Sequence, residues 1–169
     1  MDNGAHYYGE LSYPGNGETQ YYKEDILVGY RWHDTKKITP NFAFGYGLSY
    51  TSFDLSKINS DKKSYSSTDS IKISCEVKNT GTVKGSEVVQ VYIGKKNSKV
   101  KRALKELKGF EKISVNEGKS KKIEIKIGVN KLAYYNEKKS DWDIEKGEYI
   151  VYVGNASDNI SKELKITII

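Results

Sequence analysis

From Thr51 onward, short segments alternate apolar and polar residues with a period of two, which is typical of β-strands with one buried face. The clearest of these segments, 71–78, alternates Ile, Ile, Cys and Val with Lys, Ser, Glu and Lys. Segments 123–127 and 164–168 show the same alternation. Segment 86–93 is apolar on both sides, so we predict that it forms a central strand with both faces covered.

Turn residues separate the predicted strands, notably at 79–81 (Asn-Thr-Gly) and 116–118 (Asn-Glu-Gly). A connector at 131–135 is predicted to make one helical turn, and Gly109 to mark a bulge or a close approach of a neighbouring residue. The pattern predicts about seven strands and an all-β fold, a sandwich of the immunoglobulin or fibronectin type III-like kind. The additional predicted strands cover 53–55, 107–113, 142–144 and 148–153.

Residues 1–50 have a different character. They contain 11 of the 20 aromatic residues but show no sustained period of two or 3.6. We therefore predict a mostly irregular, aromatic-rich N-terminal arm with one candidate strand at 25–32. Such a segment has much apolar surface and no core of its own. It is predicted to pack on another body, which is the following domain, an upstream domain or another chain.

The segment 41–51, Asn-Phe-Ala-Phe-Gly-Tyr-Gly-Leu-Ser-Tyr-Thr, is called the joint below. Glycine permits positive φ and close backbone approach, and the surrounding rings favour burial, so the joint is predicted to be a tight, packed turn rather than a flexible linker. We predict that the chain divides into 1–50 and 51–169. The residues predicted to pack between domains are Phe42, Phe44, Tyr46 and Tyr50.

The net charge of +6 is unevenly distributed. Residues 1–50 carry four basic and six acidic side chains, whereas residues 51–169 carry 24 basic and 16 acidic ones. A basic domain can bind nucleic acid or an anionic surface. These lysines mostly alternate with apolar residues, however, and are predicted to line the solvated faces of strands. We therefore predict neither nucleic acid nor a membrane as a partner.

The sequence also bears on the cellular compartment of the protein. No apolar run approaches the roughly 20 residues that a membrane span requires, and the first residues show no signal-peptide pattern. These observations favour the cytoplasm, unless Met1 was introduced at a cut site. Cys75 is the single cysteine, so no intrachain disulfide is expected, and its place in an alternating strand predicts a small buried hydrophobe.

Few side chains form a pattern that indicates chemistry. His6, His33 and Cys75 have no recognisable metal-ligand spacing, and no phosphate-binding loop or nucleophile elbow is present. We therefore predict no catalytic residue, metal or cofactor. Arg31 and Arg102 are predicted to form structural ion pairs or stacks rather than ligand contacts. Because ring faces stack on sugars, three residues are candidate sugar contacts, with rings filling a seam between domains as the favoured alternative: Tyr21, Tyr22 and Trp32.

Several motifs resemble one family. Residues 42–53 resemble the Phe-Gly-x-Gly-Leu-Ser-Tyr-Thr-x-Phe joint of glycoside hydrolase family 3 β-glucosidases. Further segments are similar to that family in the same order along nearly the whole chain. Ala103 departs from the pattern, since the family usually has proline there, and the loop is expected to lose some rigidity. The further segments are 22–34, 77–92, 101–112 and 142–154.

The resemblance implies that the intact enzyme is a retaining β-glucosidase, which hydrolyses O-glycosyl bonds with two carboxyl groups. In the family, these groups lie in an N-terminal barrel and in the middle α/β domain, ahead of the matching segment. No Asp or Glu of this chain therefore inherits a catalytic role. Residues 1–50 would be the tail of the middle α/β domain and the interdomain crossing, and 51–169 the fibronectin type III-like domain.

The hypothesis that follows is a structural, bracing portion of a β-glucosidase that is not catalytic alone. Its partners would be the catalytic domains of the same enzyme, and a β-glucoside would be bound only through the intact enzyme. Two alternatives stay open. One is a free-standing carbohydrate-binding or protein-interaction module, and the other is a separately expressed subunit of a split β-glucosidase.

Overall fold

The computed structural model describes residues 15–22 and 24–169. The predictions for residues 1–14, His6 among them, lie outside the described residues. No helix in the described part of the chain is long and apolar enough to cross a membrane. The strands and helices of this part are α1 (Tyr30–Lys36), β1 (Phe53–Ser60), β2 (Ser64–Tyr65), β3 (Ser70–Asn79), β4 (Gly85–Lys95), β5 (Glu106–Val115), β6 (Ser120–Gly128), a 3-10 helix (Val129–Leu132), β7 (Tyr134–Asn136), β8 (Asp141–Asp143), β9 (Gly147–Gly154) and β10 (Ile160–Ile168).

Two sheets pack face to face as a β-sandwich. Within the described residues, one sheet has three strands in the order β1-β3-β6, and the other has five in the order β2-β10-β9-β4-β5. Neighbouring strands are antiparallel, except that β2 pairs with β10 in parallel. β7 and β8 form a separate hairpin. The predicted all-β sandwich is confirmed; the short strand β2, at its edge, and the hairpin strand β7 were not predicted.

The core lies between the sheets and follows from the alternation in the sequence. On β3, Ile71 and Ile73 are fully buried, and they pair with Ile127 and Ile125 of β6. Valines of β4 and β9 belong to the same core cluster. Burial of each such side chain contributes roughly 1.5–3 kcal/mol. Cys75 also lies in this cluster, which confirms its prediction as a buried hydrophobe.

Gly109 lies in β5 where side chains of the opposite sheet approach closely. A Cβ atom at this position would lie 2.8 Å from the Ile125 Cγ2, nearer than such atoms pack. The ladder between β4 and β5 also shifts register at Val91 and Tyr92, so that Lys108 of β5 has no opposite residue. Both features predicted for Gly109, the bulge and the close approach, are confirmed.

β4 is covered on both faces. Val89, Val91 and Ile93 face the core, whereas Gln90 and Tyr92 lie on the outer face, and all five are at most 4% exposed. The strand lies between β9 and β5, so the prediction of a central strand is confirmed. The cover on the outer face comes from residues of the N-terminal arm.

One element of the arm differs from its prediction. The candidate strand at 25–32 does not form, because residues 24–26 make a turn and α1 begins at Tyr30. Asp25 has φ 53° and Gly29 has φ 63°, so the backbone leaves the extended region twice within this run. The prediction of a strand was therefore wrong here, although the described arm outside α1 is largely irregular.

Candidate functional site

An ion pair fixes α1 to the start of β5. The Lys105 Nζ lies 2.7 Å from the Asp34 Oδ2, and these side chains are only 8% and 14% exposed. The same ammonium group lies 5.8 Å from the centre of the Tyr92 ring on the outer face of β4. A second pair, between Lys101 and Asp25, is close at 2.8 Å but exposed. The buried pair therefore carries more of the attachment than the exposed one.

Backbone groups of the same loop also bond to α1. The Leu104 N–H donates to the Thr35 Oγ1 at 3.0 Å, and the Leu107 N–H donates to the Tyr30 hydroxyl at 2.8 Å. A helix of seven residues with no fully buried side chain has little stability of its own. These bonds explain why it forms: α1 is held by tertiary contacts with the sandwich.

A column of rings connects the joint to the sheet. The Phe44 ring stacks on Tyr30 with their centroids 4.6 Å apart, and Tyr30 meets Tyr92 edge to face at 5.8 Å. Tyr92 is fully buried, and this burial raises the pKa of its hydroxyl, which donates to the Gln90 Oε1. The rings thus replace water on the outer face of β4 with a packed aromatic contact.

The joint is also anchored through its backbone. The Ser157 N–H donates to the Phe44 carbonyl at 2.8 Å. The Gln90 side-chain amide donates to the carbonyls of Gly45 and Asn155. Gly45 has φ 81°, and a Cβ atom there would lie 2.3 Å from the Gln90 Oε1. Glycine meets both requirements. The predicted tight turn is confirmed at Gly45, where the Tyr46 N–H donates to the Ala43 carbonyl, whereas the burial predicted for the surrounding rings is not observed.

The four rings that were predicted to pack between domains differ in their contacts and exposure. Phe44 stacks toward the sandwich but is still 46% exposed, and Phe42, Tyr46 and Tyr50 are 75%, 55% and 101% exposed. Phe42 and Tyr46 lie with their ring centroids 5.5 Å apart, and Leu48 beside them is also exposed. The joint thus presents an apolar patch, here called the aromatic patch. Packing of this patch between domains stays a prediction.

The three candidate sugar contacts lie on different parts of the arm. Tyr21 and Tyr22 are exposed and precede Lys23. Trp32 lies on α1, where the Lys36 Nζ sits 5.0 Å from the centre of its ring. This is a cation–π contact within one helix. A role of these rings in sugar binding stays a prediction.

Beside the arm lies a groove of about 790 Å³. Its walls come from the turn before α1, from the loop 100–103 between β4 and β5, and from the β7–β8 hairpin. Its lining combines charged side chains with three large rings, those of Tyr134, Tyr135 and Trp142. The residues used below are Asp25, Arg31, Lys101, Arg102, Glu106, Tyr135, Glu137, Lys138 and Trp142.

Two arginines shape the walls of this groove. The Arg102 Nε donates to the Glu145 Oε2 at 2.9 Å, and its guanidinium lies 5.2 Å from the centre of the Tyr134 ring. The Arg31 Nε lies 3.5 Å from the Glu106 Oε1. The prediction that both arginines form structural ion pairs or stacks is confirmed.

The pattern of the sequence did not indicate the rings of the hairpin. Tyr135 and Trp142 pair across β7 and β8, 5.8 Å apart with their planes at 77°, and they are 52% and 67% exposed. The polar run 137–140 between two aromatic residues was an available signal, because it is typical of a hairpin turn with rings on the flanking strands.

The least exposed carboxylates near these surfaces have structural partners. Asp34 and Glu145 each lie within hydrogen-bonding distance of a basic side chain, at 2.7 and 2.9 Å. Among the residues that the structure describes, no group of three or more His, Cys, Asp and Glu side chains is placed to hold a metal ion.

Comparison with known proteins gives the same picture from sequence and from structure. The family model of the fibronectin type III-like domain matches residues 87–157. The beta-glucosidase BoGH3A of Bacteroides ovatus is 44% identical over 156 residues, which cover 92% of this chain and 21% of that protein. The thermostable beta-glucosidase B of Acetivibrio thermocellus is 45% identical over 150 residues, 89% of this chain and 20% of that protein.

Two solved structures superpose on nearly the whole chain. The GH3 beta-glucosidase of Bifidobacterium adolescentis has a TM-score of 0.86 and 35% identity, covering 94% of this chain and 23% of that one. Beta-glucosidase 3B of Thermotoga neapolitana has a TM-score of 0.82 and 37% identity, covering 93% and 22%.

The fold and the matched domain define a fibronectin type III-like β-sandwich. Within that class, the chain matches the C-terminal portion of glycoside hydrolase family 3 β-glucosidases. The chain spans about a fifth of the length of the curated relatives it matches. In those relatives, the matched region is part of a larger single chain.

Proposed function

We propose that this chain is a non-catalytic portion of a retaining β-glucosidase and braces the domains that hydrolyse the glycosidic bond. The observation that carries the proposal is the joint. Its backbone is anchored to the sandwich at Phe44 and Gly45, while the aromatic patch beside these anchors is exposed. Rings beside an anchored backbone offer apolar contact area to a partner domain.

The proposed partners are the catalytic domains of the same enzyme. We propose that residues 1–50 are the tail of a middle α/β domain and the crossing to 51–169. Retaining glycosidases need two carboxyl groups about 5 Å apart, and we place both in the other domains. The nearly buried carboxylates of Asp34 and Glu145 support this placement, because a basic side chain neutralises each of them.

A comparison of two proteins tests the proposal. One is the isolated chain, and the other is a chimera in which this chain replaces the matched portion of the Bacteroides ovatus β-glucosidase. We expect the chimera to hydrolyse an aryl β-glucoside and the isolated chain to be inactive. Turnover by the isolated chain that a single Asp or Glu substitution abolishes would overturn the proposal.

A further inference from the structure

We propose that the groove between the arm and the β7–β8 hairpin is a binding site for neutral oligosaccharides, with Trp142 and Tyr135 as its stacking platform. This site is separate from the aromatic patch and does not depend on the bracing role. It also differs from the candidate contacts Tyr21, Tyr22 and Trp32, none of which the groove uses.

The two hairpin rings leave surface for a ligand. In an edge-to-face pair, the edge of one ring covers one face of the other, so the remaining faces of Tyr135 and Trp142 are not occupied by the pair itself. Their exposures of 52% and 67% agree with this geometry. The face of an aromatic ring is electronegative and attracts the C–H groups on one side of a pyranose ring. Flat rings at a groove wall therefore suit a sugar.

The charges around the groove favour a neutral ligand. Arg102 is already neutralised by Glu145. The other charged lining residues are three basic and three acidic side chains, which cancel: Asp25, Arg31, Lys101, Glu106, Glu137 and Lys138. A site for an anion would carry an excess of positive charge. A balanced lining has no such preference.

The same side chains form donor–acceptor pairs. Lys101 with Asp25 places an exposed donor and an exposed carboxylate acceptor side by side at 2.8 Å, and Arg31 lies 3.5 Å from Glu106 through its buried Nε, with 39% of its side chain exposed. A sugar hydroxyl is both a donor and an acceptor. Neighbouring hydroxyls of a pyranose can therefore bond to both members of such a pair, with charge-assisted hydrogen bonds.

Hydrogen bonds join the walls of the groove to each other. Arg102 joins the groove loop to the segment before the hairpin, since its Nη1 donates to the Leu132 carbonyl at 3.1 Å while its Nε bonds to Glu145. Within the hairpin, the Lys139 Nζ lies 2.7 Å from the Asp143 Oδ2. Preorganised walls lower the entropic cost of binding. The volume of about 790 Å³ falls in the usual range for ligand sites, roughly 300–1,000 Å³.

The test is an NMR titration of the full chain with cellotetraose and, separately, laminaritetraose. We expect amide shifts to change at 24–31, 100–106 and 134–143 with one of these probes, and isothermal calorimetry to give the same affinity. Trp142→Ala should weaken binding about tenfold or more, as loss of a stacking ring does elsewhere. Arg31→Gln should also weaken it, while Phe110→Ala, which removes an exposed ring of β5, should not.

Three results would overturn the site. One is the absence of shift changes in this region up to about 10 mM of each probe, at which a dissociation constant of about 1 mM would be detected. Another is binding that Trp142→Ala and Tyr135→Leu leave intact while Trp32→Phe removes it, since the arm would then be the contact. The third is binding to the isolated chain but not to the chimera, because another domain would then cover the groove. The aryl-glucoside assay does not depend on these results, so the two proposals fail separately.

Discussion

Lys105 and Asp34 are 71 positions apart in the sequence, yet their charged groups lie 2.7 Å apart and are almost completely buried. Breaking a buried pair leaves one charge without compensation. We expect Lys105→Met to lower the free energy of unfolding by about 3 kcal/mol, measured by urea denaturation of the chain.

The double variant Asp34→Leu with Lys105→Met separates charge from packing. Replacing both partners removes the uncompensated charge, so the double variant should be more stable than Lys105→Met alone. Asp25→Asn, which removes the exposed partner of Lys101, is the matched control and should change stability little. Equal losses from the buried and exposed pairs would contradict the assignment of α1 docking to Lys105.

The aromatic patch should matter only where another domain can cover it. Replacing Phe42, Tyr46 and Tyr50 with serine should leave the melting temperature of the isolated chain nearly unchanged, because exposed rings lose little on truncation. In the chimera, the same substitutions should lower the melting temperature by several degrees. Phe110→Ser provides a ring of similar exposure outside the joint. Identical melting of the parent and substituted chimeras would remove the support for bracing.

Gly45 and Gly47 form a matched pair of sites for testing the anchored turn. Gly45→Ala places a Cβ atom against the Gln90 side chain at a φ of 81°, and should cost about 1–3 kcal/mol. Gly47 has open space around it and an ordinary φ, so Gly47→Ala should stay within about 0.5 kcal/mol. Hydrogen exchange at the Ser157 amide reports whether the Phe44 carbonyl remains docked. An equal response at the two glycines would show that the turn is not packed.

Glu145 should give the stability of the chain a defined acid dependence. Burial raises the pKa of its carboxyl group, but hydrogen bonds from Ser98, Lys99 and Arg102 outweigh burial and hold the pKa below its ordinary value of 4.5. A lowered pKa stabilises the folded state above the unfolded pKa, and this stabilisation is lost as the pH falls through the folded pKa. The wild-type chain should thus be more stable than Glu145→Gln at pH 7, with the difference shrinking below about pH 4.5. A difference that is constant from pH 7 to pH 3 would contradict this role.

The sandwich could be predicted because the apolar residues of the alternating pattern are the residues that the core buries. Ile71, Ile73 and Cys75 are apolar at every second position, and the core covers that face of β3. α1 could not be predicted in this way. Its sequence, Tyr30–Lys36, has no apolar stripe at helical spacing, and its stability comes from contacts with residues more than 60 positions away.

The joint likewise has one feature that the sequence predicts and one that depends on tertiary contacts. Its glycines predict a tight turn, which Gly45 confirms, while most of its rings are exposed rather than packed. Composition does not distinguish Phe42 from Phe44, however, because the stack of Phe44 on Tyr30 depends on where α1 lies. The hairpin rings Tyr135 and Trp142 were missed because β7 and β8 are three residues long, too short for a period to be recognised.

The cover on the outer face of β4 has a consequence for how this module is inherited. A genetic recombination point at Thr51 would deliver the strands without α1 and would leave Tyr92, Gln90 and the Lys105 ammonium group facing water or an unrelated neighbour. Selection should therefore disfavour exchanges with a crossover there. A structural unit with this face covered therefore begins before Tyr30 and includes α1 and the joint as well as the strands.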